Sequence, residues 1–294
     1  MTQIITLLFP CSYDNIKSVD EAYEPEYKEV CSIPEFRTAF YDHDKLAANP
    51  GHHVKLYPGL EPGLCIGRTW MMKPEEYLRF HNDISDLGGQ LINSVSEYNL
   101  THLFPNVYPL IKGYTPNAIW FDNTQSIKAD TVNREFSRFL VKDYVKSVKG
   151  HDFPSHFDTP IKQEELNTYI ERFIDYRQPL FTGGIVLKEY IELKKYGSAA
   201  NEYRAFYLFG EVLTVSRNSN QSERCPFVPI ELVEKFTGLP SNYYTIDFGE
   251  LDDGSFVILE AGDGQVSGLS PNQYIFKYFD EMRRILIKPK VRKR

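Results

Sequence analysis

Three carboxylates stand at positions near the C-terminal end of the chain where solvated acids are not expected. Asp247 interrupts one β-prone segment, Glu260 ends another, and Asp263 lies between two glycines. A carboxylate at the end of an apolar strand is costly unless it is paired or binds a cation. Three that converge suit a hard cation such as Mg²⁺ or Mn²⁺, which prefers oxygen ligands. The alternative interpretation is that they are solvated acids of a turn.

A lysine interrupts an apolar segment near the middle of the chain. Residues 139–145 are β-prone, and Lys142 stands where an apolar residue is expected. A lysine stem packs well on a strand face while its ammonium group reaches into a cleft. The loop that follows contains Ser147, Lys149 and Gly150 and is rich in hydrogen-bond donors. It lacks the P-loop pattern, so as an isolated phosphate signal it is weak.

Two arginines lie in residues 201–217, which predict a hairpin that turns at Gly210 and Glu211. Arg204 is on the first strand, and Arg217 ends the second. Arginines inside β-prone segments need anionic partners. Those partners are either ligand phosphates or protein carboxylates, and the sequence leaves both open.

The acidic residues near the C-terminus belong to a second predicted hairpin. Residues 244–248 alternate apolar and polar side chains, residues 252–254 carry a turn signal, and residues 256–259 are β-prone. The final helix is predicted to follow Pro271. It is expected to bury five apolar side chains, namely Ile275, Phe276, Phe279, Met282 and Leu286.

The N-terminal part of the chain predicts a small parallel α/β lobe. A first strand covers residues 4–9 and ends at Pro10, and a polar loop with a short helix is expected after it. Another strand leads into a helix that begins at Pro74 and is stopped by Gly88, and a further strand follows at once. Strand–helix–strand at this spacing indicates parallel strands over roughly residues 1–115.

The totals exclude several classes of protein. The net charge of −7 argues against a broad nucleic-acid interface. The four cysteines are far apart, which argues against a zinc module or a disulfide framework and fits a reducing, cytoplasmic compartment. The first residues predict a strand rather than a signal peptide, and no apolar segment is long enough to span a bilayer. The oligomeric state is left open.

Taken in order, these segments resemble the ATP-grasp superfamily, and specifically its small single-chain carboxylate–amine ligase branch. The matching order is an α/β lobe, a strand lysine with a flexible loop, a hinge strand, an arginine hairpin and an acidic hairpin. The resemblance implies an α/β (α+β) fold with an N-terminal pre-ATP-grasp α/β lobe at residues 1–115 and an ATP-grasp domain at residues 116–294. Within that domain, two α+β lobes at residues 116–187 and 188–294 would clamp the nucleotide.

The resemblance assigns residues to the nucleotide ATP. A strand lysine and a mobile loop contact the phosphates, the hinge strand holds adenine through its backbone, and an acid follows at the ribose. The residues of this chain that match are Lys142, Ser147, Lys149, Lys188, Glu189, Tyr190, Ile191 and Glu192.

The resemblance also assigns the catalytic and metal-binding residues. Arg204 and Arg217 match the arginines that hold the γ-phosphate and the acyl phosphate. Asp247 and Glu260 match the ligands of Mg²⁺ or Mn²⁺. The family pattern at the second metal position is commonly Glu-x-Asn, whereas this chain reads Glu-Ala-Gly from Glu260. Asp263 is the residue expected to supply the missing oxygen.

These assignments imply an ATP- and Mg²⁺-dependent ligase that joins a carboxylate to an amine through an acyl phosphate and releases ADP. Small molecules and peptides are both expected as substrates. One alternative is a nucleotide-binding module that has lost catalysis. A second is a lysine-dependent nucleotidyltransferase, which ranks last because the signature Lys-x-Asp-Gly is absent.

Overall fold

The computed structural model describes residues 4–122, 127–148 and 152–288. The predicted loop residues Lys149 and Gly150 lie outside this part of the chain. Within it, the strands form one five-stranded sheet, two four-stranded sheets and a two-stranded ribbon. No helix of the described residues is both long enough and apolar enough to cross a membrane.

The N-terminal sheet is built mainly from parallel strands, as the spacing of its segments predicted. Its elements are β1 (Ile5–Ser12), β2 (Asn15–Val19), a 3-10 turn (Glu21–Tyr23), α1 (Glu24–Cys31), β3 (Phe36–Tyr41), α2 (His43–Ala48), β4 (Gly63–Gly67), α3 (Pro74–Asp86), β5 (Gly89–Leu91), α4 (Val95–His102) and α5 (Phe104–Ile111). β1 pairs in parallel with β3 and β4, and β4 with β5. Strand β1 continues through Pro10 instead of ending there, and the polar segment after it forms the antiparallel strand β2.

The middle sheet is antiparallel in the order β6-β9-β7-β8. Its elements are β6 (Ala118–Phe121), α6 (Ala129–Glu135), β7 (Arg138–Asp143), β8 (Phe157–Asp158), α7 (Gln163–Arg177) and β9 (Ile185–Glu189). One face packs on α6 and α7 through apolar residues such as Phe139, Leu166 and Leu187. Because Leu140 pairs with Lys188 and Lys142 with Val186, both lysines project from the other face.

The C-terminal sheet is antiparallel in the order β13-β12-β14-β15. Its part of the chain contains β10 (Lys195–Tyr196), β11 (Ala199–Ala200), β12 (Glu202–Leu208), β13 (Glu211–Arg217), α8 (Ile230–Glu234), β14 (Tyr243–Glu250), β15 (Phe256–Asp263) and α9 (Ile275–Ile287). Both predicted hairpins are present as strand pairs. Each contains a one-residue irregularity in register, between Phe206 and Tyr207 and between Asp247 and Phe248.

Helix α9 connects the C-terminal sheet to the N-terminal lobe. Its buried residues Tyr278, Phe279 and Met282 share one core with β1 and with the face of β12 that carries Phe206. Ile285 is also buried, but Phe276, which was predicted to be buried, is 62% exposed. The helix face is therefore shifted from the predicted one, because the core contacts lie around Tyr278 and Met282.

Candidate functional site

The lysine face of the middle sheet and one face of the C-terminal sheet meet at a large cleft. Its volume is about 760 Å³, which is within the range of small-molecule sites. Lys142 and Lys188 line it from the middle sheet, and Asp247 and Glu260 line it from β14 and β15. Residues that are far apart in the sequence therefore meet in one place.

A β-bulge places Glu260 on the same face of the sheet as Asp247. Phe248 pairs with Ile258, but Asp247 pairs with Glu260, so Leu259 is the extra residue. Directly opposed residues of an antiparallel pair point to the same side. Without the extra residue, Asp247 would oppose Leu259 and the Glu260 carboxylate would point to the opposite face.

Two lysines hold the Glu260 carboxylate. Lys142 Nζ and Lys146 Nζ each lie 3.3 Å from one of its oxygens. Burial alone would raise the pKa of Glu260, but Lys146, Lys142 and Arg204 together hold it well below its ordinary value. Burial lowers the pKa of Lys142; Glu260 opposes that shift, and Lys146 adds to it. The site is thus an anion surrounded by cations, a suitable environment for phosphate groups.

Lys188 is more deeply buried and has weaker partners. It is 5% exposed, and its Nζ donates a hydrogen bond of 2.6 Å to the carbonyl oxygen of Leu259, the bulge residue. Its ammonium group also lies 5.0 Å from the centre of the Phe104 ring. Burial, with a further contribution from Lys142, lowers the pKa of Lys188 to about 7.

Arg204 and Asp247 form a two-pronged ion pair. Nε and Nη2 of Arg204 donate to the two carboxylate oxygens at 2.8 and 2.7 Å, and Nη1 donates to the carbonyl oxygen of Gly268. Burial alone would lower the pKa of Arg204, but Asp247 raises it above its ordinary value. The pair fixes the guanidinium in one orientation beside the cleft.

Arg217 is on the opposite face of the C-terminal sheet, which corrects the expectation that it shares a site with Arg204. Arg204 pairs with Ser216, so Arg217 pairs with Tyr203 and points to the same side as that tyrosine. Its Nη2 donates to the carbonyl oxygen of Glu223. The cause is the irregularity after Phe206, since an unbroken register would place both arginines on one face.

Asp263 is also separated from Asp247 and Glu260. It is fully buried, and its oxygens accept hydrogen bonds from Asn93 Nδ2 and from the backbone and side chain of Gln265. Burial raises its pKa to about 7, although these hydrogen bonds lower it. The expected third metal ligand is therefore occupied elsewhere, because alternation along β15 turns position 263 away from position 260.

The predicted hinge residues border the cleft. Glu189, Tyr190 and Ile191 line it, and Ser147 lines it from the loop after β7. Glu189 accepts a hydrogen bond from the amide of Asn117, which steadies the strand end.

Glu192 is not among the described lining residues of the cleft. It is 62% exposed and pairs with Arg138 at 2.6 Å.

A second, smaller cavity adjoins the same carboxylates. This small compartment has a volume of about 70 Å³ and is lined by Met71, His102, Val145, Lys146, Arg204, Thr245, Asp247, Glu260, Ala261, Gly262, Val266, Ser267 and Gly268. It shares Lys146, Asp247 and Glu260 with the large cleft. The sequence did not single out His102, Thr245 or Ser267, because they come from three distant segments.

The carboxylates fit a divalent cation that brings ligands of its own. Asp247 and Glu260 are cross-strand neighbours on one face. The described residues contain no group of three or more histidine, cysteine or acidic side chains able to hold a metal. One or two carboxylates completed by phosphate oxygens and water is a common arrangement for Mg²⁺. Asp247 and Glu260 would thus hold Mg²⁺ together with a phosphate compound.

Comparisons with known proteins agree with this architecture. A family model described as an ATP-grasp domain, the third family of its clade, matches residues 129–282, just over half of the chain. No curated protein matches.

Three solved structures illustrate the likeness in fold. D-alanine–D-alanine ligase from Bacillus anthracis complexed with ATP is 12% identical, with a TM-score of 0.59 and 96% of both chains covered. D-cycloserine synthetase DcsG is 12% identical, with a TM-score of 0.59, 96% of this chain covered and 99% of that one. The macrocyclase MdnC from Microcystis aeruginosa MRC, bound with precursor peptide MdnA, is 15% identical, with a TM-score of 0.56, 97% of this chain covered and all of that one.

These identities are low, so the structures establish the fold, and the family match establishes the membership. The predicted α/β fold class and the predicted ATP-grasp enzyme family are both confirmed. The chain belongs to the ATP-grasp superfamily, as a member of the clade family whose model matches residues 129–282.

Proposed function

We propose that this protein is an ATP- and Mg²⁺-dependent ligase that joins a carboxylate to an amine through an acyl phosphate and releases ADP. One observation carries the proposal: Lys146, Asp247 and Glu260 line both the large cleft and the small compartment. A nucleotide in the cleft would present its terminal phosphate to a second substrate at this junction. Such an arrangement suits phosphoryl transfer between two bound molecules.

The large cleft is assigned to ATP. Backbone groups of Glu189 to Ile191 would hold adenine, because these residues border the cleft at the end of β9. Lys142 and Lys188 project from the same sheet face and would contact the phosphates. Their charges are compensated in part by Glu260 alone, so the cleft is prepared for an anion.

The chemistry has two steps. An oxygen of the substrate carboxylate attacks the γ-phosphorus, and ADP leaves; the amine then attacks the acyl carbon, and phosphate leaves. Arg204 and Lys146 lie beside the small compartment and would stabilise the negative charge of the transferring group. A cation held by Asp247 and Glu260 would supply further neutralisation of phosphate charge.

The products formed from ATP distinguish the proposal from its alternatives. The protein would be incubated with ATP, Mg²⁺ and a metabolite extract, and the nucleotides resolved by chromatography. The ligase releases ADP and phosphate. Pyrophosphate as the main product, or AMP bound to the protein, would instead identify a lysine-dependent nucleotidyltransferase.

A catalytically inactive nucleotide-binding module is the second candidate function. The observation in its favour is Gly262, which lies on the face of Glu260 and carries no side chain where the family pattern has a metal-binding asparagine. A module of this kind would bind ATP in calorimetry and form neither ADP nor pyrophosphate above background with any extract. Turnover with any fraction of the extract would exclude it.

A further inference from the structure

We propose that the small compartment takes the carboxylate of a substrate with no ammonium group next to that carboxylate, namely a peptide carboxylate or an N-acylated acid. This inference rests on the proposed function and names the substrate that the ligase would activate. Free α-amino acids carry the excluded ammonium group and would be poor substrates.

The position of the compartment assigns it to the group that receives the phosphoryl. It adjoins the large cleft through Lys146, Asp247 and Glu260, so an occupant faces the terminal phosphate. Its volume of about 70 Å³ has room for only about five water-sized groups, estimated from the space that one water needs. A carboxylate and the carbon next to it fit this space.

The charges that line the compartment favour an anion. The cations are Lys146 and Arg204, and Lys142 lies directly behind Glu260. A substrate carboxylate would gain charge-assisted hydrogen bonds from the first two. An ammonium group would be placed among like charges.

The acceptors that an ammonium group would need are already engaged. Both oxygens of Asp247 accept from Arg204, and each oxygen of Glu260 accepts from a lysine. The carbonyl oxygen of Gly268 accepts from Arg204, and that of Ser267 accepts from the buried Arg68. A buried ammonium without such acceptors is strongly unfavourable.

The neutral groups of the compartment agree with this selection. His102 is buried, and burial together with Lys146 and Lys142 lowers its pKa to about 3, so the imidazole adds no negative charge that would attract a cation. Thr245 Oγ1 and Ser267 Oγ lie 2.9 Å apart and form a hydrogen bond with each other. Met71, which is 38% exposed, adds an apolar surface where the substrate would leave the compartment.

Matched pairs of carboxylates test the inference, with hydroxylamine in place of the amine. The substrate carboxylate takes the γ-phosphoryl from ATP and ADP leaves; the hydroxylamine nitrogen then displaces phosphate and forms a hydroxamate. N-acetylglycine, N-acetylalanine and N-acetylated tripeptides would be compared with glycine, alanine and the unblocked amino acids by mass spectrometry. We expect kcat/KM to be at least about a hundredfold higher for the acylated series, a ratio that corresponds to about 2.8 kcal/mol.

A faster reaction with free amino acids would overturn the inference and leave the proposed ligase intact. Hydroxamate from neither series would also overturn it, and ADP release with the metabolite extract would then judge the ligase separately. Gly262→Val tests the location, since a Cβ there would lie 3.1 Å from Ser267 Oγ and 3.3 Å from Thr245 Oγ1.

We expect the Gly262→Val variant to raise KM for the acylated acid about tenfold and to keep the affinity for ATP. Gly238→Val is the matched control, because position 238 is exposed and a Cβ there meets nothing within 4 Å. Equal KM values in the two variants, with both folded by circular dichroism, would place the carboxylate elsewhere.

Discussion

Replacing Lys188 with methionine should stabilise the fold and weaken ATP binding at the same time. The lysine is 5% exposed, and burial lowers its pKa from 10.5 to about 7. Methionine has a side chain of similar length and no charge, so it fills the space without the cost of a buried ammonium group. A residue that reduces stability at a binding site is expected where function requires a buried charge.

The structure gives the magnitude of both effects. The difference between the two pKa values corresponds to about 5 kcal/mol at pH 7, as an upper limit. The hydrogen bond to Leu259 and the contact with the Phe104 ring each return about 1 kcal/mol that methionine loses. We therefore expect Lys188→Met to be more stable by about 2–3 kcal/mol at pH 7 and to bind ATP about ten- to a hundredfold more weakly.

The sign of the pH dependence follows from the lowered pKa. The unfolded chain binds a proton at this lysine below about pH 10.5, whereas the folded chain binds it only below about pH 7. Stability of the wild-type protein therefore rises between pH 7 and pH 10 by this contribution, and the advantage of the variant shrinks over the same range.

Urea unfolding at pH 7 and pH 9.5 measures this advantage, and calorimetry measures ATP binding. Lys55→Met, at an exposed position, serves as the control and should show neither effect. The reasoning is refuted if Lys188→Met is less stable than the wild type at pH 7, or if its advantage is the same at both pH values.

Three further substitutions test separate parts of the site. Lys142→Met should weaken ATP binding about ten- to a hundredfold in calorimetry, because a charge-assisted contact is lost; an unchanged affinity would remove Lys142 from the phosphate site. Glu260→Gln should raise the affinity for ATP in the presence of a chelator about tenfold, because the lysines lose their carboxylate partner, while ADP release with Mg²⁺ stops; weaker chelator-insensitive binding contradicts this. Asp263→Asn should remove a loss of stability that the wild type shows in urea unfolding as the pH rises from about 4 to 7, since burial raises the pKa of this acid; parallel pH profiles would show that the acid titrates normally.

The local part of the architecture could be predicted from the sequence. The alternation at residues 244–248 and the turn signal after it indicated the acidic hairpin, and the structure contains it as β14 and β15. Pro74 and Gly88 likewise marked the limits of α3 closely, because caps and breakers act within a few residues. The polar strand β2 was missed, since it buries little and carries no apolar alternation.

The site itself could be predicted only where one segment carries the signal. Lys142 stood out because it interrupts an apolar strand, but its neighbour Lys146 did not, since its carboxylate partner is 114 residues away. His102 reaches the small compartment from the N-terminal lobe, and nothing near it in the sequence reports that. Arg217 was assigned to the wrong face because a one-residue bulge leaves no clear mark in composition.

The bulge at Leu259 has a consequence for how relatives of this chain should be aligned. The extra residue turns Glu260 toward Asp247, and its carbonyl oxygen, free of the ladder, accepts the hydrogen bond from Lys188. An alignment that allows no gap between the turn and Glu260 would match this acid with a residue of the opposite face in any relative that lacks the bulge. Insertions and deletions of one residue in β15 should therefore be given the same weight as substitutions when activity is compared across the clade.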